Sequence, residues 1–264
     1  MSLQKGKAIN QLYSLLPEGA VASSAWLAEQ GYSRQLLRKY VQSGWLVSVA
    51  RGAFRRPESE IGWPAIVSSL EKYWGLSCHA GGRTALDLRG YAHYLALGKN
   101  KPTHLYTQSN LPAWLRSLSQ PKLVFHTSSM FGPNADDTGL EEIKMDGGRF
   151  SVHVSRPERA ILELLSDVPD RESFEEADKL MEGLANLSPS RVMGLLLACK
   201  NIKAKRLFLW LADRHGHAWF QKLDTDKVNL GSGKRMLVKG GRLVSRYQIT
   251  VPVEMINGSE KHLL

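Results

Sequence analysis

Residues 23–56 have the sequence SSAWLAEQGYSRQLLRKYVQSGWLVSVARGAFRR. A serine before each of two helical segments can accept a backbone N–H of the first turn, and a glycine after each can supply a left-handed residue that ends the helix. The stretch therefore predicts helices over 25–30 and from Ser33 to Ser43, joined by a tight turn at Gly31. Two short helices joined in this way form a helix-turn-helix.

The residues after the second of these helices have the pattern of a β-hairpin. A strand is expected over 45–49, a turn containing glycine at 50–52, and a returning strand over 53–56 that Pro57 ends. A basic hairpin that follows a helix-turn-helix indicates a winged helix. We expect three aromatic side chains to pack the wing onto the preceding helix: Tyr40, Trp45 and Phe54.

The remainder of the chain mixes helices with short strands. Apolar periodicity predicts helices over 3–16, 64–74, 83–88, 156–166, 174–187, 189–199 and 204–215. Strands are expected over 104–107, 123–127, 143–145 and 150–154. A final hairpin is expected to pair 235–239 with 242–251 around Gly240-Gly241. Ser155 and Glu158 have the spacing of a capping box for the helix over 156–166.

These elements predict an α+β protein of two domains. The first, residues 1–92, is a winged helix-turn-helix with bracing helices, and the second, residues 93–264, is a mixed α/β domain. Of the 264 residues, 43% are hydrophobic and 23% charged, which is typical of a soluble globular protein and excludes disorder. The longest apolar run, 207–212, is too short to span a membrane, and the polar start lacks a secretion signal, so we expect a cytoplasmic protein.

The charge is strongly basic and unevenly distributed. The chain holds 35 Lys and Arg against 25 Asp and Glu, a net charge of +10. Residues 1–60, 61–190 and 191–264 carry net charges of +4, −3 and +9. Two basic ends indicate an anionic partner, and nucleic acid is favoured over a merely solvated surface.

Catalytic signatures are absent from the sequence, which contains no G-x-S-x-G, H-E-x-x-H or G-x-G-x-x-G motif. Residues 231–235, GSGKR, lack the Ser or Thr that follows the lysine of a phosphate loop, so a turn is favoured. We therefore predict a protein that is not an enzyme and has no cofactor.

Three further stretches admit a chemical and a structural interpretation, and we favour the structural one in each. Cys78-His79 beside Arg83 is more typical of a buried thiol than of a nucleophile, and both Cys78 and Cys199 are expected to be reduced. His215-Gly216-His217 lacks other ligands at metal spacing, so no metal site is predicted there. A cluster of acidic residues fits the solvated first turn of a helix: Glu172, Glu175, Glu176 and Asp178.

The helix-turn-helix suggests how the chain would bind DNA. Arg34, Gln35 and Arg38 lie where a recognition helix presents side chains to base edges, and Arg can pair with guanine and Gln with adenine. Arginines of the wing suit phosphates or the minor groove. The alternative is a winged helix that binds another protein and keeps its basic residues solvated. The predicted DNA-binding residues are Ser33, Arg34, Gln35, Arg38, Lys39, Arg51, Arg55 and Arg56.

Several segments resemble the AbiEi antitoxin family. The resemblance is dense over residues 8–95 and looser beyond them. The residues that carry it are 16–19 (LPEG), 24–33 (SAWLAEQGYS), 43–46 (SGWL), 51–56 (RGAFRR), 79–86 (HAGGRTAL), 90–94 (GYAHY), 230–235 (LGSGKR) and 240–242 (GGR).

The resemblance implies the antitoxin of a bacterial type IV toxin-antitoxin pair linked to abortive phage infection, whose toxin, AbiEii, is a nucleotidyltransferase. In that family the N-terminal winged helix binds inverted repeats in its own promoter, in double-stranded DNA, and represses the operon. The C-terminal domain is needed for neutralisation, which is expected to proceed without a stable toxin complex. We accordingly expect a monomer in solution and two copies on each operator.

The basic C-terminal segment leaves other functions open. It could extend the DNA contact, or it could belong to an RNA-binding or enzymatic antitoxin that acts on the RNA target of the toxin. A pure protein-interaction module is a third alternative. The residues expected to form this C-terminal basic surface are Lys200, Lys203, Lys205, Arg206, Lys234, Arg235, Lys239 and Arg242.

Overall fold

A computed structural model describes residues 2–91, 101–126, 130–132 and 138–256, the first six of them by their backbone alone. The chain forms two compact units, and each draws on separate segments. The first contains the described residues of 1–80, 98–128 and 142–154, and the second those of 81–97, 129–141 and 155–264. The predicted domain boundary at 92/93 lies outside the described residues. The two units do not divide the chain at one point, because later segments join the N-terminal residues in the first unit.

The first unit begins with a winged helix, as predicted. Its elements are α1 (Ser2–Leu15), β1 (Ala22–Ser23), α2 (Ser24–Glu29), α3 (Arg34–Gln42), β2 (Val47–Ala50) and β3 (Ala53–Arg55). The strands form an antiparallel sheet in the order β1-β3-β2. The strand that precedes the helix-turn-helix therefore belongs to the same small sheet as the two strands of the wing.

Serine caps and glycine turns define these elements. The side chain of Ser23 accepts the N–H of Trp26 to cap α2, and that of Ser33 accepts the N–H of Leu36 to cap α3. Gly52 has φ +77° at the tip of the wing, and its carbonyl accepts the N–H of Ser24 at 2.8 Å. The wing is thus tied to the start of α2.

The aromatic packing differs from expectation at one position. Tyr40 is buried, and Phe54 is half-buried beside α3. Trp45, in contrast, leaves 44% of its surface exposed, and its ring meets that of Tyr13 edge-on. The prediction that Trp45 belongs to the core is wrong, because Gly44 ends α3 and the chain turns outward before β2 begins.

The rest of the first unit adds α4 and most of a five-stranded sheet. The elements are α4 (Trp63–Trp74), β4 (His79–Ala80), β5 (Thr103–Tyr106), β6 (Leu123–His126), β7 (Leu140–Met145) and β8 (Phe150–Ser155). The strand order is β6-β5-β4-β8-β7, in which β4 runs antiparallel to β5 and parallel to β8, and β5 runs parallel to β6. Thr127, the last residue of the strand predicted over 123–127, lies outside the described residues.

The second unit is mainly helical. Its elements are α5 (Gly82–Leu88), α6 (Pro157–Ser166), α7 (Phe174–Gly183), α8 (Pro189–Ala198), α9 (Ile202–Arg214), β9 (Arg235–Met236), β10 (Arg242–Val244), β11 (Ile249–Val251) and α10 (Val253–Ile256). Helix α6 forms its centre and packs against α5, α7, α8 and α9. No described helix is long and apolar enough to cross a membrane.

Burial in this unit explains why the predicted capping box is wrong. Arg156, not Ser155, occupies the N-cap position of α6, and no side chain caps the helix. The hydroxyl of Ser155 instead donates to buried Glu163 at 2.8 Å, and Glu158 accepts from Arg191 at 2.9 Å. Tertiary partners thus replace the local hydrogen bonds that the spacing suggested.

The predicted C-terminal hairpin is also wrong in its pairing. β11 pairs antiparallel with β10 and parallel with β9, so residues 235–239 and 242–251 do not face each other across Gly240-Gly241. A Cβ atom on Gly241 would lie 2.5 Å from the carbonyl oxygen of Val251. Gly241 is needed because the backbones approach closely. The turn itself lies one residue earlier, over 238–241, where the N–H of Gly241 donates to the carbonyl of Val238 at 3.3 Å.

Candidate nucleic-acid interface

The polar face of α3 is open to solvent. Leu37 and Tyr40 are buried and fix the helix on the body of the winged helix. Ser33, whose side chain caps the helix, is exposed. The predicted side chains along the outward face are exposed too: Arg34, Gln35, Arg38 and Lys39. Burial on one side and a row of long polar side chains on the other is the arrangement that a recognition helix requires.

A groove of about 560 Å³ separates α3 from the wing. Arg34 and Arg38 line it from the helix, and Arg51 lines it from the wing turn. The groove lining contains no acidic residue. Within the described residues these three guanidinium groups make no hydrogen bond or ion pair, so their positive charge remains available to an anionic partner.

Arg55 and Arg56 do not line this groove, and their guanidinium groups have partners within the winged helix. Arg55 donates to the carbonyl of Ser59 at 2.7 Å and so closes the turn after β3. Arg56 pairs with Glu18 at 3.0 Å and lies over the ring of Tyr13, 4.1 Å from its centroid. Both guanidinium groups therefore serve the structure of the winged helix, and the wing presents Arg51 alone of the three predicted arginines.

The groove also contains polar residues that the sequence analysis missed. Gln42 lies on the same face of α3 as Arg34 and Arg38, and Ser48 faces it from β2. The spacing of four residues between positions 34, 38 and 42 signals one helical face, so Gln42 was predictable. Ser48 was not, because a lone serine in a strand has no such signal.

Two predicted members of the C-terminal basic surface are buried. Arg206 is 1% exposed and donates to four backbone carbonyls: those of Leu230 (2.8 Å), Gly233 (2.7 Å), Gln248 (2.9 Å) and Gly231 (3.2 Å). Lys205 is 3% exposed, and burial lowers its pKa. The placement of both at the surface was wrong, because every residue of α9 from Ala204 to Ala212 is buried.

The other predicted cations of this surface differ among themselves. Lys203 donates to the carbonyl of Val168 at 2.6 Å, and partial burial lowers its pKa. The remaining five are exposed: Lys200, Lys234, Arg235, Lys239 and Arg242. The loop over 231–235 directs the carbonyls of Gly231 and Gly233 at Arg206, whereas a phosphate loop directs N–H groups at its ligand.

The two cysteines are buried, and His215 and His217 are hydrogen-bonded within the protein. Burial and the nearby Glu71 carboxylate raise the pKa of Cys78 well above its usual range, so the thiol stays protonated. Cys199 is also buried, and its pKa is raised by that burial. His215 bonds to Asp178 at 2.7 Å, and buried His217 bonds to the carbonyl of Met181 at 2.7 Å.

The acidic cluster is only partly solvated. Glu175 is exposed, as predicted. Glu172 is 4% exposed, and both it and Glu176 pair with Arg83. The prediction of a solvated face is wrong for Glu172. Its carboxylate is buried against Arg83, which lies 89 residues earlier in the sequence and whose charge compensates the burial.

Two family models match consecutive parts of the chain. The first, described as the N-terminal domain of a transcriptional regulator, AbiEi antitoxin, matches residues 5–97. The second, described as a transcriptional regulator, AbiEi antitoxin, of a type IV toxin-antitoxin system, matches residues 100–252. The chain belongs to the AbiEi antitoxin family. The resemblance of its motifs to that family is thereby confirmed.

A solved structure shares the fold of this AbiEi chain. This chain is similar to the crystal structure of the RV2827C protein from Mycobacterium tuberculosis, with a TM-score of 0.60 and 17% sequence identity. The likeness covers 97% of this chain and 94% of that one. At this identity it shows the fold alone. No curated protein matches the chain significantly.

Proposed function

We propose that this AbiEi antitoxin binds an inverted repeat in its own promoter and represses its operon, with α3 in the major groove and Arg51 on the backbone. The observation that carries the proposal is the basic face of α3 beside the groove, where Arg34 and Arg38 make no hydrogen bond or ion pair with the residues that the structure describes. Family membership supports a transcriptional regulator. Among the described residues the groove is lined by three arginines and by no acidic side chain, and guanidinium groups suit phosphates and guanine edges.

The residues of α3 and the wing are expected to contribute differently. Arg34→Ala, Gln35→Ala and Arg38→Ala should each cost about 1 to 3 kcal/mol of discrimination at one base pair, because each removes a contact to a base edge. Arg51→Ala should weaken binding to all sequences alike, because a phosphate contact carries no sequence information. Fluorescence anisotropy on the upstream DNA and on a shuffled duplex measures both effects.

Arg56→Ala serves as the control for these variants, since its guanidinium pairs with Glu18 and is expected to leave discrimination unchanged. Equal losses on upstream and shuffled DNA for the three α3 variants would contradict base readout by α3.

We further propose that the second unit neutralises an AbiEii-type nucleotidyltransferase toxin without a stable complex, and that the chain is not itself an enzyme. What supports the separation is that the exposed face of α3 belongs wholly to the first unit. On the operator we propose two copies of a protein that is monomeric in solution.

A variant with both Arg34→Ala and Arg38→Ala tests the separation in the full chain. We expect it to lose repression while it still rescues cells that express the toxin, since neutralisation does not use α3. Reporter expression and growth are measured side by side. Loss of rescue by a folded double variant would contradict the separation and would favour an antitoxin that acts through nucleic acid, the alternative for which the five exposed C-terminal cations remain candidates.

A further inference from the structure

A segment beyond the winged helix lies against the wing. Residues Ala113–Ser117 form a short 3-10 helix that contacts β2. The hydroxyl of Ser117 lies 3.4 Å from the carbonyl oxygen of Val49, two residues before Arg51 at the wing tip. The segment therefore sits directly beside the part of the wing that would approach DNA.

Aromatic packing holds this segment in place. Trp114 is 1% exposed, and its ring centroid lies 6.1 Å from that of Trp74 in α4. The indole N–H of Trp74 in turn donates to the carbonyl of Val21 at 2.9 Å, just before β1 of the wing sheet. These contacts connect the segment, through α4, to the sheet of the wing.

The same segment presents a cation. Trp114 and Leu115 are buried, whereas Arg116 is exposed. In the part of the chain that the structure describes, no hydrogen bond or ion pair engages the Arg116 guanidinium. A guanidinium can form a bidentate contact to a phosphate.

We propose that Arg116 binds a phosphate of double-stranded DNA beside the wing, so that the backbone contact of the first unit continues from Arg51 onto the segment 113–117. The inference rests on the proposed DNA binding and adds a contact from the region that the second family model matches. It makes the DNA-binding surface discontinuous in sequence.

Arg116→Ala in the full chain tests the contact. Anisotropy is measured on the DNA upstream of the gene and on a shuffled duplex across a salt series. Loss of one phosphate contact should make the slope of log K against log salt shallower by about 0.9 and weaken binding about eightfold at 0.1 M salt on both duplexes. Arg116→Lys should keep the wild-type slope, because it keeps the charge.

Arg149→Ala is the matched control, since it removes an exposed arginine of the same unit from the turn between β7 and β8. An unchanged slope for Arg116→Ala, or an equal change for Arg149→Ala, would overturn the inference. If the wild-type protein binds both duplexes equally, operator recognition fails, and the slopes still decide whether Arg116 contacts phosphate. If it binds neither duplex, both proposals fail.

Discussion

Replacing Arg206 with Met should lower the free energy of unfolding by about 3 to 5 kcal/mol. The guanidinium donates to four backbone carbonyls, and its side chain is almost wholly buried. A methionine replaces the aliphatic part of the side chain but not the guanidinium, and it removes the donor of the Leu230, Gly231 and Gly233 carbonyls, whereas the Gln248 carbonyl still accepts the N–H of Arg235. Hydrogen bonds to a charged group contribute about 1.5 to 3 kcal/mol each, though not additively. Denaturant unfolding of the full chain measures the loss.

Lys239→Met provides the comparison for this variant. Lys239 was predicted to belong to the same basic surface, and it is exposed. Its replacement should change stability by less than about 0.5 kcal/mol. Equal stabilities of the two variants would show that Arg206 is a surface cation after all and would contradict the structural role assigned to it.

Trp114→Ala should destabilise the first unit by about 3 to 5 kcal/mol, the usual cost of removing a large aromatic side chain from a core. The indole of Trp114 packs against that of Trp74, although Trp114 follows the winged helix by more than 50 residues in the sequence. Because the segment supports β2, we expect DNA binding to weaken as well. Denaturant unfolding and anisotropy on the same preparations measure both effects.

Trp45→Ala is the matched control, because Trp45 is 44% exposed and its ring meets that of Tyr13 edge-on. It should cost no more than about 1.5 kcal/mol. A Trp114→Ala protein with wild-type stability and wild-type DNA binding would show that the winged helix is independent of the residues after 100.

Local signals made the winged helix predictable from sequence. Ser23 and Ser33 cap their helices through hydrogen bonds made within three residues, and Gly52 turns the wing through its own φ angle. Such interactions are encoded where they occur, so a pattern of a few residues is sufficient to identify them.

Tertiary partners decided the positions that the sequence analysis got wrong. Nothing adjacent to Arg206 shows that four carbonyls from residues 230–248 will surround it, and nothing beside Glu172 shows that Arg83 will compensate its charge. Arg55 and Arg56 are of the residue type expected in a DNA-binding wing, yet Arg55 donates to the carbonyl of Ser59 and Arg56 pairs with Glu18. Charge type is visible in a sequence, whereas the partner of a charge depends on the fold.

A footprint of the purified protein on the DNA upstream of its own gene tests the central claim, that α3 binds operator DNA. We expect two protected half-sites related as an inverted repeat and separated by about one helical turn or a multiple of it, as two copies of one winged helix require. The Arg34→Ala and Arg38→Ala double variant should lose this protection. Uniform protection along the fragment, or the same protected half-sites with the double variant, would contradict the account.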